Sequence, residues 1–287
     1  QDVFDEYKVK MYRYFSVASK GDATVSNDES AFLSSIMSLP YKLSPHNNDG
    51  TMLTQKQTTD AVMDIPTTDP MSALNELVGL DAVKKEIETL TNYIKIQQLR
   101  IQKGLKTSSV SYHCIFTGNP GTGKTTVARI VASIYKDLGV LKKGHLVETD
   151  RAGLVAEYVG QTAVKTNKKI DEALDGVLFI DEAYSLIGEG QDYGKEAIAT
   201  LLKRMEDERE RLVVILAGYS DEMKQFIDSN PGLQSRFNRY IEFSDYSANE
   251  LMQIFDFNIK KYDYTITPPA RNALQDFFDQ AIASKDK

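Results

Sequence analysis

The chain has 287 residues, 41% of them hydrophobic and 26% charged, with a formal net charge of −7 and an isoelectric point near 5.2. That length supports about two domains of ordinary globular composition, and the acidic balance argues against an overall field that would draw it to nucleic acid or to an anionic membrane. No apolar run reaches the ~18 residues of a membrane span, and no signal pattern opens the chain. The single cysteine, Cys114, allows no internal disulfide, so the expected setting is cytoplasmic. Because the sequence begins at Gln1 rather than methionine, a trimmed fragment is expected.

Residues 3–19 carry Phe4, Tyr7, Met11, Tyr14, Phe15 and Ala18 at helical spacing, and Asp28 to Leu39 repeat the pattern with Phe32, Leu33, Ile36 and Met37. Two facing amphipathic helices over 1–40 are expected. A calcium loop counted from Asp22 would need Gly at its sixth position and Glu at its twelfth, and Asn27 and Leu33 stand there instead. The stretch VASKGDATVSNDESAFL, with Asp22, Val25 and Glu29, weakly resembles the helical repeat of TerB-like modules. Residues 41–72, rich in Pro, Asn, Thr and Asp without a sustained period, read as a linker. A helix is expected from Asp81 as N-cap, with Val83, Ile87, Leu90 and Ile94 on its buried face and Gly104 as its stop.

The sequence GNPGTGKTT, Gly118 to Thr126, follows an apolar strand-like run (Tyr112 to Phe116) and precedes a helix-like run (Val127 to Tyr135). That context is what a phosphate-binding, Walker A loop requires. Gly118, Gly121 and Gly123 allow the backbone to turn its N–H groups into an anion nest at a helix N-terminus. Asn119, Pro120, Thr122 and Thr126 complete the loop. Lys124 is expected to reach the terminal phosphates and Thr125 to ligate Mg²⁺.

Beyond the loop, strands and helices alternate: Leu146–Thr149, Val164–Leu174, Val177–Ile180, Glu196–Met205, Val213–Ala217, Glu222–Ile227 and Arg239–Phe243. This predicts an α/β fold with a parallel sheet covered on both faces over 73–245, followed by two helices, Ala248–Lys261 and Pro269–Ala283, of a partial helical lid over 246–287. The apolar strand Val177–Ile180 ends in Asp181-Glu182, the form of a Walker B element: Asp181 for the Mg²⁺ shell, Glu182 to polarise the attacking water. A GTPase would need Asn-Lys-x-Asp, whereas Asn167-Lys168-Lys169-Ile170-Asp171 has one residue too many. Arg236, shortly before the last strand, is suited to reach a neighbouring subunit's nucleotide.

Residues 73 to about 283 resemble an AAA+ ATPase of the CbxX/CfxQ family, related to stage V sporulation protein K and CbbX-type rubisco activases. The blocks that carry the likeness are ELVGLDAVKKEI, FTGNPGTGKTTVAR, TDRAGLVAEYVGQTA, GVLFIDEAYSL, DYGKEAIATLLKRMED, VVILAGY and SNPGLQSRF. The resemblance implies ATP and Mg²⁺ as cofactors and a homo-oligomer, expected to be a hexamer. It implies Arg236 as a trans-acting finger, Val78 and Gly79 in the adenine pocket, and Tyr158, Val159 and Gly160 as a pore loop for a protein substrate of unknown identity. Two departures stand out. Tyr219 occupies the position of the usual polar sensor, and no FGNAR-like lid string occurs before Lys287, so the lid is expected to be truncated. Three functions compete: a ring that remodels or threads protein, a nucleotide-gated scaffold that docks a partner through the N-terminal helices, and a DNA-associated loader, which the missing basic stripe disfavours.

Overall fold

A computed structural model describes residues 69–107, 111–156, 158, 160–187 and 193–285. The expected N-terminal helices, the TerB-like stretch and nearly all of the expected linker lie outside them. A compact unit runs from Thr68 to Ile282.

The unit is built on five parallel strands, β1 (Cys114–Gly118), β2 (Leu146–Thr149), β3 (Gly176–Ile180), β4 (Leu212–Gly218) and β5 (Tyr240–Phe243), ordered β2-β3-β4-β1-β5. Alternation along the strands divides the core in two, because successive side chains of a strand point to opposite faces. Cys114, Phe116, Val177, Phe179, Val213, Ile215, Ile241 and Phe243 face helices α1 (Pro70–Glu76), α2 (Asp81–Gln102) and α3 (Lys124–Asp137), meeting Leu74, Val83, Ile87 and Val131. Ile115, Leu178, Ile180, Leu212, Val214 and Leu216 face the other way, toward α4 (Arg151–Leu154), α5 (Thr162–Ala173), α6 (Tyr193–Asp207), α7 (Ser220–Asp228) and α8 (Pro231–Arg236). Burial on both faces explains why β3 and β4 read as unbroken apolar runs and are buried throughout. Cys114 is fully buried, and burial raises its thiol to about 11, so it packs as an inert side chain. After β5 come α9 (Ala248–Lys261) and α10 (Pro268–Lys285).

Three local details differ from the sequence expectation. Helix α1 occupies the end of the expected linker, because Asp69 caps it by accepting from the Ser72 N–H at 3.1 Å and Pro70 sits in its first turn. Helix α8 also escaped the periodicity, and it too starts with an Asx cap and a proline, Asn230-Pro231. Asp81 is the first residue of α2 rather than its cap: Leu80, at φ 59°, takes the cap position.

Candidate functional site

Strand β1 delivers the chain into the glycine loop. At Gly118, φ is 140°, and a Cβ there would stand 2.3 Å from the Phe243 carbonyl oxygen. Glycine is therefore what lets the end of β1 lie against the end of β5. The loop then closes on itself through the buried Thr122, whose hydroxyl donates to the Asn119 carbonyl at 2.7 Å. Helix α3 begins at Lys124 itself, three residues before the apolar pattern that announced it. Its cap residue, Gly123 at φ 93°, offers no side-chain hydrogen bond, which leaves the first-turn N–H groups without a side-chain cap and the dipole end open to an anion. Gly121 faces open space. Lys124 donates to the Gly118 and Asn119 carbonyls, each at 2.8 Å. Its ammonium pKa is lowered chiefly by burial, against which the charges of Asp181, Asp245 and Glu182 act.

The Asp181-Glu182 pair emerges exposed at the carboxyl end of β3, the edge where ligands bind in such sheets. The Asp181 N–H donates to the Thr149 carbonyl at 2.8 Å, extending the β2–β3 ladder by one rung, and the Asp181 carboxylate accepts from the Glu182 N–H at 3.0 Å. Glu182 adopts φ 45°, a left-handed conformation uncommon for a residue with a side chain, and leads into a 3-10 turn, Ala183–Leu186. Tyr184 in that turn packs near Tyr219, ring centroids 6.1 Å apart. Burial, followed by the neighbouring Glu182 charge, pushes the Tyr184 hydroxyl up to about 12. Tyr219, the residue that follows β4, thus stands in an aromatic pair with Tyr184.

Gly79 precedes Leu80, which packs against the loop at Gly123. The turn Gly79-Leu80 has φ 60° and 59° in succession, which brings Leu80 against Gly123. A Cβ on Gly79 would collide with the carboxylate of Glu250. Three residues from beyond β5 complete this side, and the motifs did not announce them. Asp245 accepts from the Asn119 amide on both oxygens at 2.9 Å. The Tyr246 hydroxyl donates to the Thr122 carbonyl at 3.2 Å. Glu250 caps α9 reciprocally with Ser247. The string Ser247-x-x-Glu250 was a readable capping box; its closeness to Gly79 was not readable.

Arg236 stands apart from this cluster. Arg236 ends α8, its guanidinium 3.2 Å from Glu206 and 3.4 Å from the Gly232 carbonyl. Its own carbonyl accepts from Ser111 at 2.9 Å, and Ser111 precedes β1 while the loop follows it. The seven-residue step to Gly118 spans about 20 Å of extended chain, so Arg236 belongs to the opposite edge of the sheet from its own chain's glycine loop. Tyr158 is 67% exposed, in the segment between α4 and α5. Gly160 adopts φ 77° with open space around it, and Val159 lies outside the described residues.

The residues fit a nucleoside triphosphate with a divalent cation. The helix end is uncapped, the glycine nest is open, and the oxygen donors Thr125 and Asp181 suit a hard ion. Magnesium is usually held by one or two carboxylates plus phosphate oxygens, and no group of three or more His, Cys, Asp or Glu that could hold a metal gathers among the described residues. Residues 114–245 match the family model described as ATPase family associated with various cellular activities (AAA).

The chain carries an AAA ATPase domain. Its family is one of ATPases, in keeping with the nucleotide fit just described. The chain is similar to stage V sporulation protein K of Bacillus subtilis (strain 168), 48% identical over 205 residues that cover 71% of this chain and 64% of that protein. It is 49% identical over 207 residues to the ESX-1 secretion system protein EccA1 of Mycobacterium tuberculosis (strain ATCC 25618 / H37Rv), covering 70% of this chain and 36% of that one. The chain thus spans less than two thirds of the length of either relative. A solved structure, the FIGL-1 AAA domain in complex with ADP, shares the fold at a TM-score of 0.51 and 20% identity, over 71% of this chain and 66% of that one. Among the described residues no helix is long and apolar enough to cross a membrane.

Proposed function

We propose that this AAA ATPase works as a homo-oligomeric ring, of hexamer size, that couples ATP hydrolysis to the remodelling of a protein substrate. Lys124 exchanges its two loop carbonyls for the β- and γ-phosphates, and the N–H groups of Gly121 to Thr125 cradle them. Thr125 and Asp181 hold Mg²⁺, which when bound offsets the charge of the phosphate oxygens. Glu182 takes the proton of the attacking water. Val78 and Gly79 border the base. Tyr158, with Val159 and Gly160, grips an extended polypeptide through apolar area rather than sequence.

The observation that carries this reading is the separation of Arg236 from its own glycine loop along the length of β1. A finger that cannot reach its own site completes a neighbour's, and activity then requires assembly. Specific ATPase activity of the full chain should therefore rise with protein concentration. Arg236→Ala should cut turnover by ~10³-fold, the scale of a supplied arginine finger, and mixing it with Lys124→Ala protein should restore part of the loss. Mixed oligomers without any rescue would sink the trans assignment. The aromatic Tyr219 at the sensor position favours a second reading, a nucleotide-gated scaffold with weak hydrolysis; concentration-dependent assembly with negligible turnover would select it. The relatives named above belong to sporulation and to ESX-1 secretion, and a substrate drawn from a comparable cellular assembly is part of the proposal.

A further inference from the structure

Arg151 forms an unusual joint. It opens α4 directly after Asp150, and its Nη1 donates to two successive carbonyls, Ser185 at 2.7 Å and Leu186 at 2.8 Å. Those carbonyls end the 3-10 turn that starts from Glu182, so a cationic side chain caps the turn where orphan carbonyls would otherwise accumulate. The fit is built in. At Gly194, near the start of α6, a Cβ would stand 1.7 Å from the Leu186 carbonyl oxygen and 3.2 Å from Arg151 Nη1, so this crossing tolerates no side chain.

On its other side Arg151 belongs to a body tied firmly to the Tyr158 segment. Asp150 caps α4 through the Gly153 N–H at 2.8 Å. The Thr166 hydroxyl, fully buried, donates to the Leu154 carbonyl at 3.0 Å, and buried Thr162 accepts from the Ala156 N–H at 3.1 Å. Lys165 donates to the carbonyls of Ala152 at 2.6 Å and Val155 at 3.1 Å. Helix α4, the first turn of α5 and the base of the intervening segment are therefore one hydrogen-bonded unit. Apolar packing of Leu154, Ala183 and Leu186 also joins this unit to the turn, but such packing is non-directional and slides. The two bonds from Arg151 fix direction as well as distance.

We propose that Arg151 is the positioning residue that links the Glu182 turn to the Tyr158 loop. A change in the left-handed Glu182 conformation between nucleotide states is delivered through the Ser185 and Leu186 carbonyls to α4 and from there to Tyr158. This rests on the reading of Tyr158 as the substrate-gripping residue.

The chain contains no tryptophan, so Tyr158→Trp in the full-length protein supplies a single tryptophan reporter, excited apart from the tyrosines, on the loop. Its emission and acrylamide quenching are compared with Mg²⁺ and ADP against Mg²⁺ and a non-hydrolysable ATP analogue. With Arg151 intact, the two states differ. In the Arg151→Ala background the difference shrinks by at least about fivefold, while affinity for a labelled ATP analogue stays within about threefold. Arg151→Lys, which keeps the cation but not the planar guanidinium whose length and orientation aim Nη1 at both carbonyls, gives an intermediate response and decides the matter if Arg151→Ala does not fold. An undiminished difference in both Arg151 variants overturns the joint and leaves the role of Tyr158 standing. A reporter that is silent with Arg151 intact overturns the underlying reading of the loop. Loss of nucleotide affinity in step with loss of the signal makes Arg151 a structural residue of the ATP site and overturns the proposal as well.

Discussion

His113 links the surroundings of Arg236 to the sheet, and its protonation should be visible in the stability of the domain. The ring precedes β1, is 9% exposed, and accepts the Val214 N–H on Nδ1 at 3.0 Å, which requires a neutral imidazole with its proton on Nε2. It packs 5.7 Å from the Phe237 ring. Burial, followed by the Arg236 charge, lowers its pKa from 6.5 to about 4. A base whose folded pKa is depressed lets the unfolded chain take up the proton first as the pH falls. Its contribution is therefore complete above pH 6.5, erodes between pH 6.5 and 4, and is constant below that window. A shift of that size corresponds to about 3 kcal/mol in full, of which about 2 kcal/mol disappears between pH 7 and pH 5. Urea unfolding of the parent and of His113→Gln at those two pH values isolates the effect. The glutamine retains an acceptor for Val214 but does not titrate, and the acidic groups common to both proteins cancel. The parent should lose about 2 kcal/mol more than the variant on acidification. Equal losses would mean that the imidazole is not held neutral against β4, and the account of the Arg236 surroundings would fall with it.

Lys124→Ala should abolish binding of a labelled ATP analogue, since the nest loses the cation that Asp181, Asp245 and Glu182 surround; unchanged affinity in a titration would remove the loop from the site. Glu182→Gln preserves the shape of the turn and should retain ATP while slowing hydrolysis by ~10²- to 10⁴-fold in single-turnover assays, and surviving turnover would give the water to another residue. Gly118→Ala should cost about 2 kcal/mol or more in denaturant midpoint, from the forbidden φ and the collision with the Phe243 carbonyl, and a neutral substitution would contradict the close approach of β1 and β5.

Periodicity made the long elements legible. β2 at Leu146–Thr149 and α9 at Ala248–Lys261 have the bounds their patterns gave, and α2 stops just before Gly104, whose φ of 67° suits the residue after a helix end. Short helices failed for a physical reason: α1 and α8 span 7 and 6 residues, under two full turns, too few for a 3.6-residue period to declare itself. Their Asp69-Pro70 and Asn230-Pro231 starts were the available signal. The cap of α2, expected at Asp81 but found at Leu80, has another cause. Asp81 is a good cap by chemistry, but the Gly79-Leu80 turn is set by what lies across it, Gly123 and the Glu250 carboxylate, and no local pattern encodes a partner some 170 residues away along the sequence.

The same distinction runs through the site. Residues 118–126 and 181–182 are legible because their task fixes their spacing: a nest must precede a helix, and a carboxylate pair must end a buried strand. The opposite wall has no such constraint. Asp245, Tyr246 and Glu250 meet the loop because β5 lies beside β1 in parallel register, Gly118 opposite Phe243, so that whatever follows Phe243 must turn over Asn119 and Thr122. That adjacency gives the wall a chemical consequence. The Asp245 carboxylate would repel a phosphate, yet both of its oxygens accept from the Asn119 amide, and its charge also acts on the Lys124 ammonium. Asn119 is therefore more than a spacer in the glycine motif. It holds, by hydrogen bonding, the carboxylate that the sheet topology brings to the mouth of the glycine loop, and it ties the start of the segment leading to α9 to that loop.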